Sequence, residues 1–238
     1  MAQQALASPA ATAYTHTPSP EPTLPWRAAE FCVIDVETTG LDAATDELIA
    51  FAALQVAHGR LRLGDARYEH IRPHRMPDAR TIRIHGLRES DLVDAPTLSE
   101  VLDGLLEALT GRVIVAHVAA IERAFLAAAL SQYGLRLANP IVDTAALAAE
   151  LFHRRRQKPP DSFELSPLAR ALGLPAHRPH HADGDALTTA QVFLALTTHL
   201  DMFAPQTVGS LARYRSPPRG LSALRSVLAR GVSRLMRS

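Results

Sequence analysis

Cysteine is almost missing from this sequence: Cys32 is the single one among 238 residues. One cysteine excludes an internal disulfide and leaves no cysteine pair to bind zinc. Because Cys32 lies in an apolar run, its simplest role is that of a small buried hydrophobic residue. So little cysteine suits a reducing compartment, and we expect a cytoplasmic protein.

Long hydrophobic runs are missing as well. No window approaches about 18 consecutive apolar residues, so the sequence predicts no transmembrane segment. The N-terminus has no basic region followed by an apolar core, so we expect no secretory signal. Apolar residues make up 47% of the chain and charged residues 21%, which is typical of a soluble globular protein.

Acidic residues are missing from the C-terminal tail. No Asp or Glu follows Asp201, and the last 37 residues carry seven arginines, whereas the preceding residues have a net charge of −6. Apolar residues recur at intervals of three or four after the Pro217-Pro218 break, which predicts a basic amphipathic tail within residues 205–238. Such a tail can bind nucleic acid, an acidic protein surface or an anionic membrane face, or it can be a frayed, solubilising end.

The composition divides the rest of the chain into two parts. Residues 1–28 are rich in Ala, Pro, Thr and Gln, and we expect this segment to be disordered or loosely attached. Residues 29–204 form the expected globular domain, with strands predicted at 31–36, 48–57, 60–72, 112–117 and 141–142 and helices at 97–109, 119–133, from 143, at 165–172 and at 182–199. Three strands followed by alternating helices and strands predict an α/β fold with a mixed central sheet flanked by helices.

Two carboxylates follow the first predicted strand. In residues 31–40 an apolar stretch leads to Asp35 and Glu37 and then stops at a turn. Side chains at i and i+2 of a strand point to the same face, so these carboxylates lie side by side. Paired oxygen ligands at the edge of a sheet suit Mg²⁺ or Mn²⁺, although an acidic, solvated turn after a core strand has the same pattern.

Two further acidic sites lie at predicted helix starts. Glu122 falls in the first turn of a helix, where a glutamate also suits the helix dipole. Asp185 begins another helix, with His180 five residues earlier on a loop. A histidine beside a metal carboxylate is a candidate general base, whereas the alternative is an exposed loop in which Asp183 or Asp185 only caps the helix.

The histidines before Asp185 also admit a zinc interpretation. His177, His180 and His181 are possible zinc ligands. However, they have no cysteine partner and no regular ligand spacing, so the carboxylate site is the stronger hypothesis.

The acidic segments together resemble the DEDD superfamily of 3′–5′ exonucleases, in the subclass with a catalytic histidine. That group includes the proofreading epsilon subunit of bacterial DNA polymerase III, RNase T and oligoribonuclease. The matching stretches are 35–40, 116–126 and the His180-to-Asp185 spacing, with further similarity at 84–87 and 142–144. Their order and spacing agree with the family across about residues 30–200, which is the whole predicted domain.

The resemblance implies an RNase H-like three-layer fold and two divalent cations, Mg²⁺ or Mn²⁺. It implies that Asp35, Glu37 and Asp185 hold one ion. It also implies that Asp35 bridges to a second ion held with Glu122, and that His180 takes the proton of the attacking water. The residues to which it assigns substrate binding are Thr38, Thr39, Gly40, His117 and Ile121. Two ions about 4 Å apart can activate the water and neutralise the leaving oxygen.

Three positions depart from the family pattern. The family usually has Asp where this chain has Glu122 and Asn where it has Val118, and it often has Phe where this chain has Ile121. We therefore expect a metal-dependent 3′–5′ exonuclease acting on single-stranded DNA or RNA 3′ ends and releasing nucleoside 5′-monophosphates, with a DNA polymerase or other partner at the tail. The alternative is a non-catalytic or weakly active nucleic-acid-binding or polymerase-associated module of the same fold.

Overall fold

The computed structural model describes residues 8–158, 160 and 162–214, and it contains a five-stranded sheet. The strands are β1 (Glu30–Thr38), β2 (Leu48–Ala57), β3 (Arg60–His70), β4 (Val113–Ala116) and β5 (Ile141–Asp143). Their order across the sheet is β3-β2-β1-β4-β5. Strands β1, β2 and β3 form an antiparallel meander, whereas β4 and β5 run parallel to β1. The mixed sheet predicted from the sequence is confirmed.

Helices cover both faces of this sheet. They are α1 (Pro9–His16), α2 (Ala79–His85), α3 (Glu89–Leu92), α4 (Leu98–Leu109), α5 (Ala120–Ser131), α6 (Thr144–Arg154), α7 (Leu165–Ala171), α8 (Ala182–Asp201) and α9 (Val208–Arg213). One core cluster joins the sheet to α1, α4 and α5, and a second joins it to α6, α7, α8 and α9. A third, smaller cluster packs Ile49 and Ala50 of β2 against Leu87 and Leu92. The result is a three-layer α/β fold.

The central strand β1 contributes to both cores. Its residues Phe31, Cys32, Val33 and Ile34 are fully buried. Cys32 and Ile34 belong to the cluster that contains α4 and α5, whereas Phe31 and Val33 belong to the cluster that contains α8. Since alternate residues of a strand share a face, Asp35 continues the row of Phe31 and Val33 towards α8. Strand pairing on both sides thus brings the end of β1 under α8.

The N-terminal segment differs from the prediction. Residues 8–28 are packed on the domain: Ser8 caps α1, and Ala10, Ala11 and Tyr14 are buried in the core cluster that contains α4. The Tyr14 hydroxyl donates a hydrogen bond to the side chain of Asn139 at 2.8 Å. Composition suggested disorder, but the alanines present a small apolar face that fits closely on α4. The prediction of a disordered segment is therefore wrong for residues 8–28, while residues 1–7 lie outside the described residues.

The domain also continues beyond residue 204. Helix α9 follows that position, and its Val208 and Leu211 are buried against the core that contains α8. Thr207 forms a β-bridge with Pro25, which ties the two ends of the domain together. The basic amphipathic helix predicted after Pro217-Pro218 lies outside the described residues.

Two short helices between β3 and α4 were not predicted. Helix α2 begins after Asp78, whose carboxylate accepts hydrogen bonds from the backbone of Arg80 and Thr81, and ends at Gly86, which has a φ of 77°. Glycine suits this left-handed position because it has no Cβ. In the described part of the chain, no helix is both long and apolar enough to cross a membrane.

Candidate active site

A cavity of ≈ 460 Å³ opens where β1 ends beneath α8. It brings together nine of the ten residues that the sequence analysis assigned to the site, namely Asp35, Glu37, Thr38, Gly40, His117, Ile121, Glu122, His180 and Asp185. These residues come from three separate segments of the chain, 35–40, 117–122 and 180–185. Only the fold therefore places them in one cavity.

The first pair of carboxylates faces a row of small residues. In the sheet, Asp35 lies opposite Ala52 and Glu37 lies opposite Ala50 on β2. Directly opposite residues on neighbouring strands project from the same face, so each carboxylate lies beside a small, buried alanine. The end of β1 thus presents two acidic groups to a cleft instead of a packed core.

Glu122 reaches the cavity from the first turn of α5. The turn before this helix contains Val118, whose φ of 59° is unusual for a β-branched residue. The buried carboxylate of Asp143 accepts hydrogen bonds from the backbone N–H groups of Val118 at 3.1 Å and Ala119 at 3.2 Å. Glu122 itself is 5% exposed, and its Oε2 is buried without a hydrogen-bond partner in the described residues.

Asp185 and His180 come from the start of α8 and the loop before it. The backbone N–H of His180 donates a hydrogen bond to Oδ2 of Asp185 at 2.9 Å. His180 has a φ of 63° and an exposed side chain. Gly184 lets the loop pack against the helix, because a Cβ there would lie 2.6 Å from the carbonyl oxygens of His177 and Arg178. The loop and helix thus hold His180 beside Asp185.

Burial, with smaller contributions from neighbouring acidic groups, raises the pKa of all four carboxylates. Burial, followed by the charges of Glu37, Glu122 and Asp185, raises the pKa of Asp35 well above its ordinary value. Burial and the charge of Asp185 raise the pKa of Glu37 to about 8. Burial, with further contributions from Asp143 and Glu37, raises the pKa of Glu122 to about 8. Four such groups cannot all be ionised at neutral pH at low cost unless positive charge joins them.

The donor set fits divalent cations of the Mg²⁺ type. Carboxylate oxygens are the ligands that these ions prefer, and the partnerless buried Oε2 of Glu122 lacks an interaction that a cation can supply. As the side chains stand, no group of three or more His, Cys, Asp or Glu in the described residues is close enough together to hold an ion. The carboxylate side chains therefore line one cavity, but they must move closer together to coordinate an ion.

Two predicted substrate-binding residues have other roles in the structure. Thr39 does not line the cavity: its hydroxyl donates to Asp46 at 3.2 Å and accepts from the backbone N–H of Glu47 at 3.0 Å. His117 lines the cavity, but its Nδ1 lies 2.8 Å from the hydroxyl of Thr144 and its Nε2 lies 2.7 Å from the carbonyl oxygen of Phe163. Both of its ring nitrogens are therefore already engaged in holding the cavity wall.

Burial keeps His117 neutral, because it lowers the pKa of the ring despite the nearby Asp143. A neutral ring has one N–H, and this hydrogen must be on Nε2, since the carbonyl oxygen of Phe163 can only accept. Nδ1 is then an acceptor 2.8 Å from the hydroxyl of Thr144, which also lies 3.3 Å from the carbonyl oxygen of Ala116. His117 thus joins β4, α6 and the loop before α7.

His85 also lines the cavity, although it was not predicted as a site residue. His85 is buried, its Nδ1 accepts a hydrogen bond from the backbone N–H of Leu87 at 3.0 Å, and its Nε2 has no partner in the described residues. Burial and the nearby His181 lower its pKa to about 4. The sequence feature that could have indicated His85 is the stretch 84–87, which resembles the family but was not assigned to the site because it has no acidic residue. His177 lies outside the cavity lining, where its Nε2 contacts Gln191 at 3.3 Å.

The comparison with known protein families agrees with this site. Residues 32–193 match the exonuclease family of RNase T type. This match spans more than half of the chain, so the protein belongs to that exonuclease family and is a nuclease of the hydrolase class. The resemblance found in the sequence is thereby confirmed.

Two relatives and one solved structure extend the comparison. The chain is 36% identical over 167 residues to a DNA polymerase III of PolC type from Thermotoga petrophila, covering 70% of this chain and 12% of the relative. It is 32% identical over 184 residues to a DNA polymerase III subunit epsilon-like protein from Rhodobacter capsulatus, covering 76% of this chain and 25% of the relative. E. coli Exonuclease I in complex with a dT13 oligonucleotide superposes with a TM-score of 0.64 at 16% identity, over 74% of this chain and 42% of that one.

These matches support the fold, but the chain covers only part of each relative. The structural superposition confirms the RNase H-like three-layer architecture. The chain spans only 12% and 25% of the lengths of the two relatives.

Proposed function

We propose that this protein is a metal-dependent 3′–5′ exonuclease that removes nucleoside 5′-monophosphates from single-stranded DNA or RNA 3′ ends. The observation that supports this most directly is the convergence of Asp35, Glu37, Glu122 and Asp185 on one cavity, where each has a raised pKa. A cluster of buried acidic groups destabilises a folded domain, so its presence indicates a functional site.

In this proposal the carboxylates would bind two ions, Mg²⁺ or Mn²⁺. Asp35, Glu37 and Asp185 would hold one, and Asp35 and Glu122 would hold the other. The ions would supply an activated water, neutralise negative charge on the leaving oxygen and favour the ionised form of the four side chains.

His180 serves as the general base. It accepts a proton from the attacking water at its ring, and its exposed position lets it pass that proton to solvent. The hydrogen bond from its backbone to Asp185 keeps it at the edge of the carboxylate cluster. The adjacent His181 does not line the cavity and has no role in this step.

The apolar walls of the cavity receive the terminal nucleotide. Val36, Leu41, Ile84, Ile121 and Phe163 line it, so a base and a sugar can pack between them. A volume of ≈ 460 Å³ is in the range of small-molecule pockets, roughly 300–1,000 Å³, and suits one nucleotide better than a base pair. E. coli Exonuclease I was solved in complex with dT13, an oligonucleotide that cannot pair with itself, which supports a single-stranded substrate here.

Degradation of end-labelled oligonucleotides tests this function. A 3′-labelled single strand should release its label as a mononucleotide immediately, and a 5′-labelled strand should shorten step by step, in both cases only with Mg²⁺ or Mn²⁺ present. Asp35→Asn should abolish both signals while retaining the fold, which circular dichroism checks. Release of the label first from the 5′ end, or undiminished cleavage by Asp35→Asn, would overturn the proposal.

Association with a DNA polymerase is a second element of the proposal. It is supported by the names of the relatives, which are DNA polymerase III proteins. The experiment is co-purification of a replicative polymerase with the full chain and with a chain ending after Tyr214. If the polymerase is retained equally by both, the tail is not its docking segment; if it is retained by neither, the association is rejected.

A further inference from the structure

Arginines are concentrated on one side of the active-site cavity. Residues 72–88 contain five arginines and one acidic residue, Asp78, although the chain before its C-terminal tail is acidic overall. Helix α2 lies in the middle of this segment, and its Thr81, Ile84 and His85 line the cavity. The positive charge is therefore located at the border of the site.

Most of these arginines have no acidic partner. Arg75 pairs with Asp46 at 3.3 Å. In the part of the chain that the structure describes, four others are without a carboxylate at ion-pair distance, namely Arg72, Arg80, Arg83 and Arg88. Asp78 caps the helix, and its carboxylate is hydrogen-bonded to the backbone. These four arginines thus make no ion pair in the described residues, although Arg80 and Arg72 are close enough to Asp78 and Glu100 to interact with their charges.

Two of the arginines are held on a fixed element beside the cavity lining. On a helix, residues three and four apart are neighbours, so Arg80 lies next to Arg83 and Ile84. Both arginines are exposed, and Arg83 donates from Nε to the carbonyl oxygen of Ala79 at 2.9 Å, which keeps its stem along the helix. The helix itself is capped at both ends.

We propose that Arg80 and Arg83, with Arg88, bind the phosphate backbone of the substrate strand as it leaves the cavity. This inference rests on the proposed exonuclease function and adds the path of the strand. The cavity has room for about one nucleotide, and its carboxylates repel phosphates, so the strand needs a positively charged exit. A guanidinium group binds phosphate oxygens with two parallel hydrogen bonds.

The acidic loop after β1 contacts the start of this arginine segment. Arg75 pairs with Asp46 at 3.3 Å, and the ring of His74 lies 2.7 Å from Glu47. Arg80, Arg83 and Arg88, which lie further along the segment and make no ion pair in the described residues, are therefore the groups left to bind a phosphate backbone.

The experiment compares a long substrate with a small one. The variant carries Arg80→Glu and Arg83→Glu, and the control carries Arg60→Glu and Arg62→Glu, the same charge change at the far end of β3. Arg60 lies opposite Ala57 in the sheet, and Arg62 has only an exposed ion pair with Asp65. The substrates are single-stranded oligothymidylate and the p-nitrophenyl ester of thymidine 5′-monophosphate, which has one phosphate and no further strand to lie along Arg80 and Arg83.

We expect the α2 substitutions to raise KM for oligothymidylate about tenfold or more. The slope of log KM against the logarithm of the salt concentration should fall by about 1.4, since each phosphate contact with a single strand contributes about 0.7. Hydrolysis of the small ester should be unchanged, and the control should behave like the unmodified chain on both substrates. Arg80→Lys with Arg83→Lys should retain most of the affinity.

The two proposals fail in different ways. If the unmodified chain hydrolyses the small ester but the α2 variant has the same KM and salt slope on oligothymidylate, the strand does not follow α2. An equal loss in the control variant also rejects the α2 path, because the effect then comes from overall charge. If the unmodified chain hydrolyses neither substrate, the exonuclease function itself is wrong.

Discussion

The carboxylate of Asp143 accepts a hydrogen bond from the backbone N–H of Val118 at 3.1 Å, at the edge where β4 and β5 end side by side. Val118 has a φ of 59°, a left-handed conformation that costs a β-branched residue about 1–3 kcal/mol. Asp143 also accepts from Ala119 and so holds the turn from which α5 starts. One buried carboxylate thus opposes the conformational preference of Val118 and directs Glu122 to the cavity.

Val118→Asn should therefore be tolerated despite the burial of this position. Asparagine adopts left-handed backbone readily, so the relief of strain should offset the lost apolar contact and keep the free energy of unfolding within about 1 kcal/mol. Val115→Asn is the matched control, because Val115 is equally buried but lies in β4, and it should cost about 3 kcal/mol or more. Urea unfolding measures both; equal losses would contradict the strain argument.

The carboxylate cluster should make stability fall as pH rises when divalent ions are chelated. Glu37 and Glu122 have a pKa of about 8 in the folded chain, above the ordinary 4.5. As pH rises, these two groups therefore lose their protons in the unfolded chain before they lose them in the folded chain. Their contribution to the free energy of unfolding is complete below about pH 4.5 and is lost as pH rises through about 8.

Urea unfolding in EDTA across this pH window measures that loss. Glu37→Gln with Glu122→Gln should flatten the profile, and adding Mg²⁺ to the unmodified chain should restore stability most at the alkaline end. A profile that is the same in the unmodified chain and the double variant would show that these groups do not titrate as their burial implies.

His180→Ala should lower kcat by about 10²–10⁴-fold, the usual range for a lost general base. His181→Ala is the control and should have a mild effect, since His181 does not line the cavity. His180→Asn should lower kcat to the same extent while tolerating the φ of 63°, which separates lost catalysis from lost folding. If His181 matters and His180 does not, the other ring acts as the base.

Glu122→Asp should retain activity or raise it, whereas Glu122→Gln should reduce it about tenfold or more, because an ionised carboxylate is needed to hold a cation. Glu164→Gln is the control, since Glu164 lines the same cavity but belongs to a different wall. Initial rates at saturating Mg²⁺ decide this. Equal activity of Glu122→Gln and the unmodified chain would show that Glu122 only favours the start of α5.

Removing residues 215–238 should leave hydrolysis of a small phosphodiester unchanged, because every proposed catalytic residue precedes the cut and α9 is retained. Affinity for long nucleic acid should fall and become less sensitive to salt, because the tail carries six of the last seven arginines. Binding across a salt series, with and without the tail, measures this. Identical affinities and salt slopes would exclude a nucleic-acid contact by the tail.

The sequence by itself determined most of the secondary structure and the acidic site. The apolar run 31–36 and the stripe of α4 after Thr97 were predictable because burial imposes periods of two and about 3.6 residues. Asp35, Glu37, Glu122, His180 and Asp185 were predictable because the order and spacing of the segments that carry them resemble the motifs of the DEDD exonucleases. All five line one cavity in the structure.

Only the tertiary structure decided what depends on distant contacts. The packing of α1 depends on the matching surface of α4, and Tyr14 finds its partner Asn139 125 residues away. Likewise His117, predicted to bind substrate, is engaged by Thr144 and Phe163, and Thr39 by Asp46 and Glu47. Local pattern shows which side chains can do chemistry, whereas folding determines which of their polar atoms are already satisfied, because those partners lie far apart along the chain.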